Sequence, residues 1–154
     1  MLIEDNQNKA LEEIKRADHQ VHVTLKYTRT ADVIRNIIER LINAYDYIFL
    51  EYLTYLKDKG KLKEIPASNK ARMELFKNEF KGKAKIYLDL YVLMKNIHNA
   101  EFGKKEEFRK HVTLIAHLNK KIVNVDIPVI TDYYYKAREF FALIQQSMKW
   151  LTLF

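Results

Sequence analysis

The chain has 154 residues, no cysteine and a formal net charge of +7. That length fits one domain with a self-sufficient core, and the missing cysteines exclude disulfides and Cys-based zinc sites. Only three glycines and two prolines occur, too few for the turns of an all-β fold.

The opening segment "MLIEDNQNKALEEIKR" has no continuous apolar core and carries acids, unlike a secretory signal. The following run, "HQVHVTLKY", alternates like a strand at Val21, Val23, Leu25 and Tyr27. Read as helix, however, Leu11, Ile14, Asp18, Val21 and Leu25 continue the earlier spacing. Periodicity and length favour the helix, which places Asp18 in an apolar seam and His19 with His22 on a neighbouring face. Two imidazoles one turn apart suit a metal, but also a polar helix rim, and no metal or cofactor is expected.

Thr30 is a capping residue with Asp32 in the first turn, near the positive end of the helix dipole. Val33, Ile34, Ile37, Ile38, Leu41, Tyr45, Ile48, Phe49, Tyr52 and Leu56 keep helical spacing up to Gly60, a natural stop. After the connector "KDKGKLKEIPASN", Ser68 caps a predicted second long helix reaching about His98, with Gly82 as a bend or close approach. Lys77, Lys81 and Lys85 recur every four residues as a basic stripe, for which a solvated face is the favoured reading over a binding one. "NAEFGK" is a predicted connector. "KEEFRKHVTLIAHLNKKIV" is read as a fourth helix with Phe108, Val112, Ile115, Leu118 and Ile122 on one face. The segment "KIVNVDIPVI" also alternates, although Pro128 interrupts it. The last helix follows Pro128, with Ala137, Phe140, Ile144, Met148 and Leu151 as its seam. Within it, three successive tyrosines in "DYYYK" fan around the helix, so at least one faces solvent or a partner. The expectation is an all-α, single-domain bundle (1–154) of about five largely antiparallel helices, cytoplasmic and not membrane-spanning.

No phosphate loop, nucleophile elbow or His-Glu-x-x-His motif occurs, and none of the five histidines has a Glu three residues before it. Histidine and arginine recur instead. "HVTL" appears at His22–Leu25 and again at His111–Leu114, each near an arginine. On a helix, Glu107 and His111 would stand four apart and fix one imidazole tautomer. Tyr27, Arg29 and Asp32 gather at the first interhelical junction, where Arg29 is expected to pair with Asp32 or Asp18. Most of the ten tyrosines and eight phenylalanines fall on helix stripes, the place for a core rather than for base stacking.

At "LKYTRTADVI", "LDLYVLMKNI" and "EFRKHVT" the chain resembles a family of small archaeal helical proteins. More distantly, its long paired helices resemble the HEPN domains, whose catalytic members are dimeric, metal-independent ribonucleases. Those proteins place Arg, four to six residues, then His on a late helix. Here Arg109 and His111 are separated by one residue, and the spacing fits only between Arg16 and His22 on the first helix.

Two functional expectations follow. The first is a non-catalytic bundle that acts by association, chiefly as a homodimer, because aromatic residues on two helices exceed a single seam. The alternative is an RNA- or DNA-directed protein, in its narrower form a HEPN-like ribonuclease. There Arg29 and Arg109 would hold phosphate and His111 or His22 would move protons. Tyr27, Arg29, Asp32, Asp18, Glu107, Lys77, Lys81 and Lys85 are the candidate binding residues. Convergence of Asp18, Arg29, Arg109 and His111 on one cleft would favour the ribonuclease.

Overall fold

A computed structural model describes the backbone of residues 2–153 and the side chains of residues 5–149. Helix α1 spans Leu2–His19 and continues through a π-turn, Gln20–Thr24, and a short helical turn, Leu25–Tyr27. The stretch that alternates in sequence is therefore helical. Its buried line is Ala10, Ile14, Ala17, Val21 and Leu25. The two last steps are four residues each, which suits a backbone widened to i→i+5 hydrogen bonding. Ala17 takes the seam position, and Asp18 stands half-exposed beside it.

Helix α2, Ala31–Asp58, is the axis of the molecule. Thr30 caps it by accepting a hydrogen bond from the Val33 amide (3.2 Å). It ends where Gly60 adopts φ +74°, with the Lys61 amide donating to the Leu56 carbonyl (2.9 Å). Ile34, Ile37, Ile38, Leu41, Tyr45, Ile48, Phe49 and Leu53 are fully buried, because helices on several sides and one sheet pack against α2. Tyr45 stacks on Phe140 (4.9 Å between centroids), and Phe49 meets Phe76 and Tyr91 at about 5 Å. Most of the aromatic excess of the second and last helices is thus consumed inside one chain, with Tyr135 left exposed.

The long helix expected from Ser68 to His98 is two. Helix α3, Asn69–Glu79, is capped by Ser68, and α4 spans Lys85–Asn99. Between them the Phe80 ring folds back, stacked on Phe76 at 5.1 Å and edge-on to Tyr52 at 5.4 Å. A Cβ at Gly82 would fall 2.6 Å from that ring, so glycine permits the fold-back.

The expected fourth helix is instead part of a small antiparallel sheet: β1 Glu101–Lys105, β2 Thr113–His117 and β3 Ile122–Val125, in that order. Gly103 faces Ile115, and Ala116 faces Val123. Val112, Leu114 and Ala116 are buried at period two, and β2 packs on α2. The alternating segment before Pro128 does form a strand, but it pairs with β2 and not with the region of Val21. Helix α5, Ile127–Leu153, completes a predominantly helical bundle, with Asp126 accepting from the Val129 amide at its start (3.0 Å).

Candidate functional site

Residues 106–112 link β1 to β2 in a loop that closes over the α1–α2 junction. The Phe108 amide donates to the Arg29 carbonyl (2.6 Å), and Glu107 Oε2 accepts from the Ala31 amide (3.1 Å). Glu107 therefore places a carboxylate at the positive end of α2, beyond the cap supplied by Thr30. Lys104 Nζ lies between Asp32 (3.2 Å) and Glu107 (3.8 Å) and neutralises both. Asp32 and Glu107, far apart in sequence, thus share Lys104 beside the docked Arg29 carbonyl, with Tyr27 two residues before Arg29. Asp32 and Glu107 serve the architecture.

Two large aromatics are left outside. Tyr27 is 83% exposed and Phe108 74% exposed. Phe108 has φ 63° and Glu106 φ 56°, left-handed conformations that cost about 1–2 kcal/mol for a non-glycine residue. Surrounding structure imposes that strain: the Arg29 carbonyl holds the Phe108 amide and the α2 N-terminus holds Glu107. Lys26, Lys105 and Lys110 are exposed and face no carboxylate among the described residues. Among the described residues Arg109 reaches one carboxylate, Glu106, at 3.8 Å, and its side chain is 78% exposed. The Arg29 Nε is buried without an acceptor among the described residues.

Several expected pairings are absent. Arg29 pairs with neither Asp32 nor Asp18, because Lys104 takes Asp32 while Asp18 accepts from Tyr134 Oη (2.6 Å). Glu107 and His111 do not stand one helical turn apart, because the backbone between them is a loop. His111 is exposed, and its carbonyl accepts from Thr113 Oγ1 (2.8 Å). The repeated "HVTL" takes a π-turn in one copy and leads into a strand in the other, so the echo carries no common structure. Arg29, Arg109 and His111 share the hairpin region; Asp18 lies elsewhere.

Asp18 belongs to a second cluster, where the π-turn meets α5. His22 Nε2 is 3.6 Å from Asp18 Oδ1, and Tyr135 Oη is 3.4 Å from the same nitrogen. Arg138 lies over the rings of Tyr134 and Tyr135. Burial, then Asp18, pushes the Tyr134 hydroxyl up to about 12, so it stays protonated and keeps donating. Of the three successive tyrosines, Tyr133 and Tyr134 are buried and Tyr135 faces solvent. The cluster latches α1 to α5.

Lys77, Lys81 and Lys85 form no single stripe. Lys77 is on α3, Lys81 donates to the Asn78 carbonyl in the break (3.0 Å), and Lys85 pairs with Asp89 (2.7 Å). Among the described residues no group of three His, Asp or Glu is placed to hold a metal, and no helix is long and apolar enough to cross a membrane.

Sequence reasoning missed Phe108, Lys104, Lys105 and Lys110. The signal was "KKEEFRKH", a charged run with one aromatic at its centre; helical spacing assigned Phe108 to a core face instead. No family model matches the chain, and neither a curated protein nor a solved structure matches it.

Proposed function

We propose that the protein is a non-catalytic binder of single-stranded nucleic acid, RNA above all, in the cytoplasm. The carrying observation is the pairing of two exposed aromatics, Tyr27 and Phe108, with the exposed Lys26, Lys105 and Lys110, which face no carboxylate among the described residues. Bases stack on aromatic faces regardless of sequence, and Lys and Arg track the phosphates. Lys26, Lys105 and Lys110 fit that second role, as do Arg109, which shares its charge with Glu106, and Arg29, whose buried Nε has no acceptor among the described residues. Phe108 is kept in a strained conformation while remaining in water, which is the kind of cost that function repays and packing does not. A cationic face also opposes itself across a two-fold axis, which favours a polyanion over a second copy as its partner. Arg109 and His111 lack the helical frame that a HEPN-like ribonuclease requires, so binding without cleavage is the simpler reading.

Fluorescence anisotropy with a labelled mixed-sequence RNA tests this. Binding is expected at low salt, with log K falling about 0.7 per neutralised phosphate for each decade of salt. The Tyr27→Ala/Phe108→Ala double variant is expected to weaken it by about 1–3 kcal/mol for each stack removed. No binding at low salt, or affinity indifferent to salt, would end the proposal.

A self-associating scaffold is supported by a different surface. Ile86 (57% exposed) and Val92 (43% exposed) are large apolar side chains left exposed on α4. Sedimentation showing a strict monomer at high concentration would remove that second reading.

A further inference from the structure

A shallow cavity of about 470 Å³ opens between α1 and α2, lined by Lys15, Arg16, His19, Gln20 and Arg40. Beneath it Glu13 is almost fully buried. Its two oxygens are divided between two guanidinium groups, Arg16 Nη1 at 3.2 Å and Arg40 Nη1 at 3.5 Å. Each arginine uses one donor on Glu13, and its remaining donors meet no protein acceptor among the described residues. A buried carboxylate thus orients two partly exposed guanidinium forks, with Lys15 and His19 at the rim. One negative charge faces at least three positive ones, so the cavity has a net cationic field. Forked donors with excess positive charge match the oxygens of a phosphate group.

The cavity is also connected to the aromatic junction. Lys15, His19, Val23 and Tyr27 recur every four residues along α1 and are all exposed, as is Lys26. The eleven residue steps from Arg16 to Tyr27 span about 16 Å of helix axis, the reach of a few nucleotides in an extended strand. We infer that Arg16 and Arg40, with Lys15 and His19, form a second phosphate-binding subsite for the strand whose bases stack on Tyr27 and Phe108. The inference rests on the nucleic-acid reading above and fixes the course of the strand along α1.

Binding of a 12-nucleotide RNA and of a trinucleotide, followed by anisotropy across a salt series, tests it. Arg16→Gln/Arg40→Gln is expected to weaken the 12-mer about tenfold or more and to flatten its salt slope by about 0.7 for each phosphate no longer neutralised. The trinucleotide, long enough only for the aromatic tip, should bind the variant as it binds the parent. Because Gln at both positions leaves Glu13 unpaired, Lys15→Gln/His19→Gln at the exposed rim provides a second variant, expected to weaken the 12-mer by a few fold with an unchanged melting temperature. If both double variants bind the 12-mer like the parent while Tyr27→Ala/Phe108→Ala does not, the subsite is wrong and the binding function stands. Equal weakening of both RNAs by the rim variant also overturns the subsite. Loss of 12-mer binding through the cavity variants but not through the aromatic pair sinks the tip reading and keeps the cavity as the phosphate site. A parent protein that binds neither RNA overturns both.

Discussion

Glu51 offers the most quantitative test of the packing. It sits on α2 with no solvent exposure. Its Oε1 accepts from Gln145 Nε2 (2.7 Å), whose own Oε1 accepts from Gln7 Nε2 (2.8 Å), while Oε2 has no partner among the described residues. Burial pushes the carboxyl up from 4.5 to about 7, with the Gln145 hydrogen bond acting in the opposite direction. A carboxyl raised on folding binds its proton more tightly in the native state. Its contribution is therefore neutral below about pH 4.5, becomes increasingly unfavourable as pH rises to about 7, and then levels off at about 3 kcal/mol. Most of that loss, about 2–3 kcal/mol, falls between about pH 5 and about pH 8.5. Glu51→Gln preserves the acceptor for Gln145 and cannot ionise. It also places an amide N–H₂ where Oε2 has no partner, a cost of about 1–3 kcal/mol at every pH. The readout is accordingly the change with pH in the stability difference between the two proteins, measured by urea unfolding. Glu51→Gln should gain about 2–3 kcal/mol on the parent between the two pH values, with equal m-values. A difference that moves by less than about 0.5 kcal/mol would show that Glu51 is solvated and that the buried network is misassigned.

Other substitutions separate function from architecture. Phe108→Gly removes a left-handed strain and should raise stability by up to about 1 kcal/mol in thermal melts while weakening RNA binding; a destabilised variant would mean that Phe108 packs rather than protrudes. Glu107→Ala deprives the Ala31 amide of its side-chain acceptor and leaves Lys104 with Asp32 alone, so a loss of about 1 kcal/mol in urea unfolding is expected, with faster hydrogen exchange at Phe108; unchanged exchange would refute the docking of the hairpin. Gly82→Ala forces the Phe80 ring off its stack, at about 1–3 kcal/mol, and wild-type stability would show that the ring moves without consequence.

The hairpin shows where sequence patterns lose their force. Phe108, Val112, Ile115, Leu118 and Ile122 satisfy helical spacing, and Val112, Leu114 and Ala116 satisfy alternation in the same stretch. Both periods are present, and only the second is buried at every position. The choice depends on α2 offering a flat apolar side to β2 and on β1 and β3 being in place to pair with it, neither of which is local. Gly82 is similar: its place in "FKGKAK" suggests a bend, but the break follows from Phe80 finding Phe76 and Tyr52 in three dimensions.

Where a residue bonds within its own turn, the sequence sufficed. Thr30 and Ser68 cap the helices they precede, Gly60 ends α2, and the path through Val21 to Tyr27 is helical, because caps, left-handed stops and 3-4 spacing are satisfied by neighbours a few positions away. The sequence alone also gathered Tyr27, Arg29 and Asp32 at the first junction, whereas Glu107, expected to face His111 on a helix, arrives there only through the fold. Tertiary structure decided what those residues do. Lys104 claims Asp32, the α2 N-terminus claims Glu107, and the Arg29 carbonyl holds Phe108 in a backbone conformation it would not adopt by itself. Partners more than seventy positions apart set those three outcomes, so only the folded chain reveals which groups are spent on the fold and which remain for a ligand.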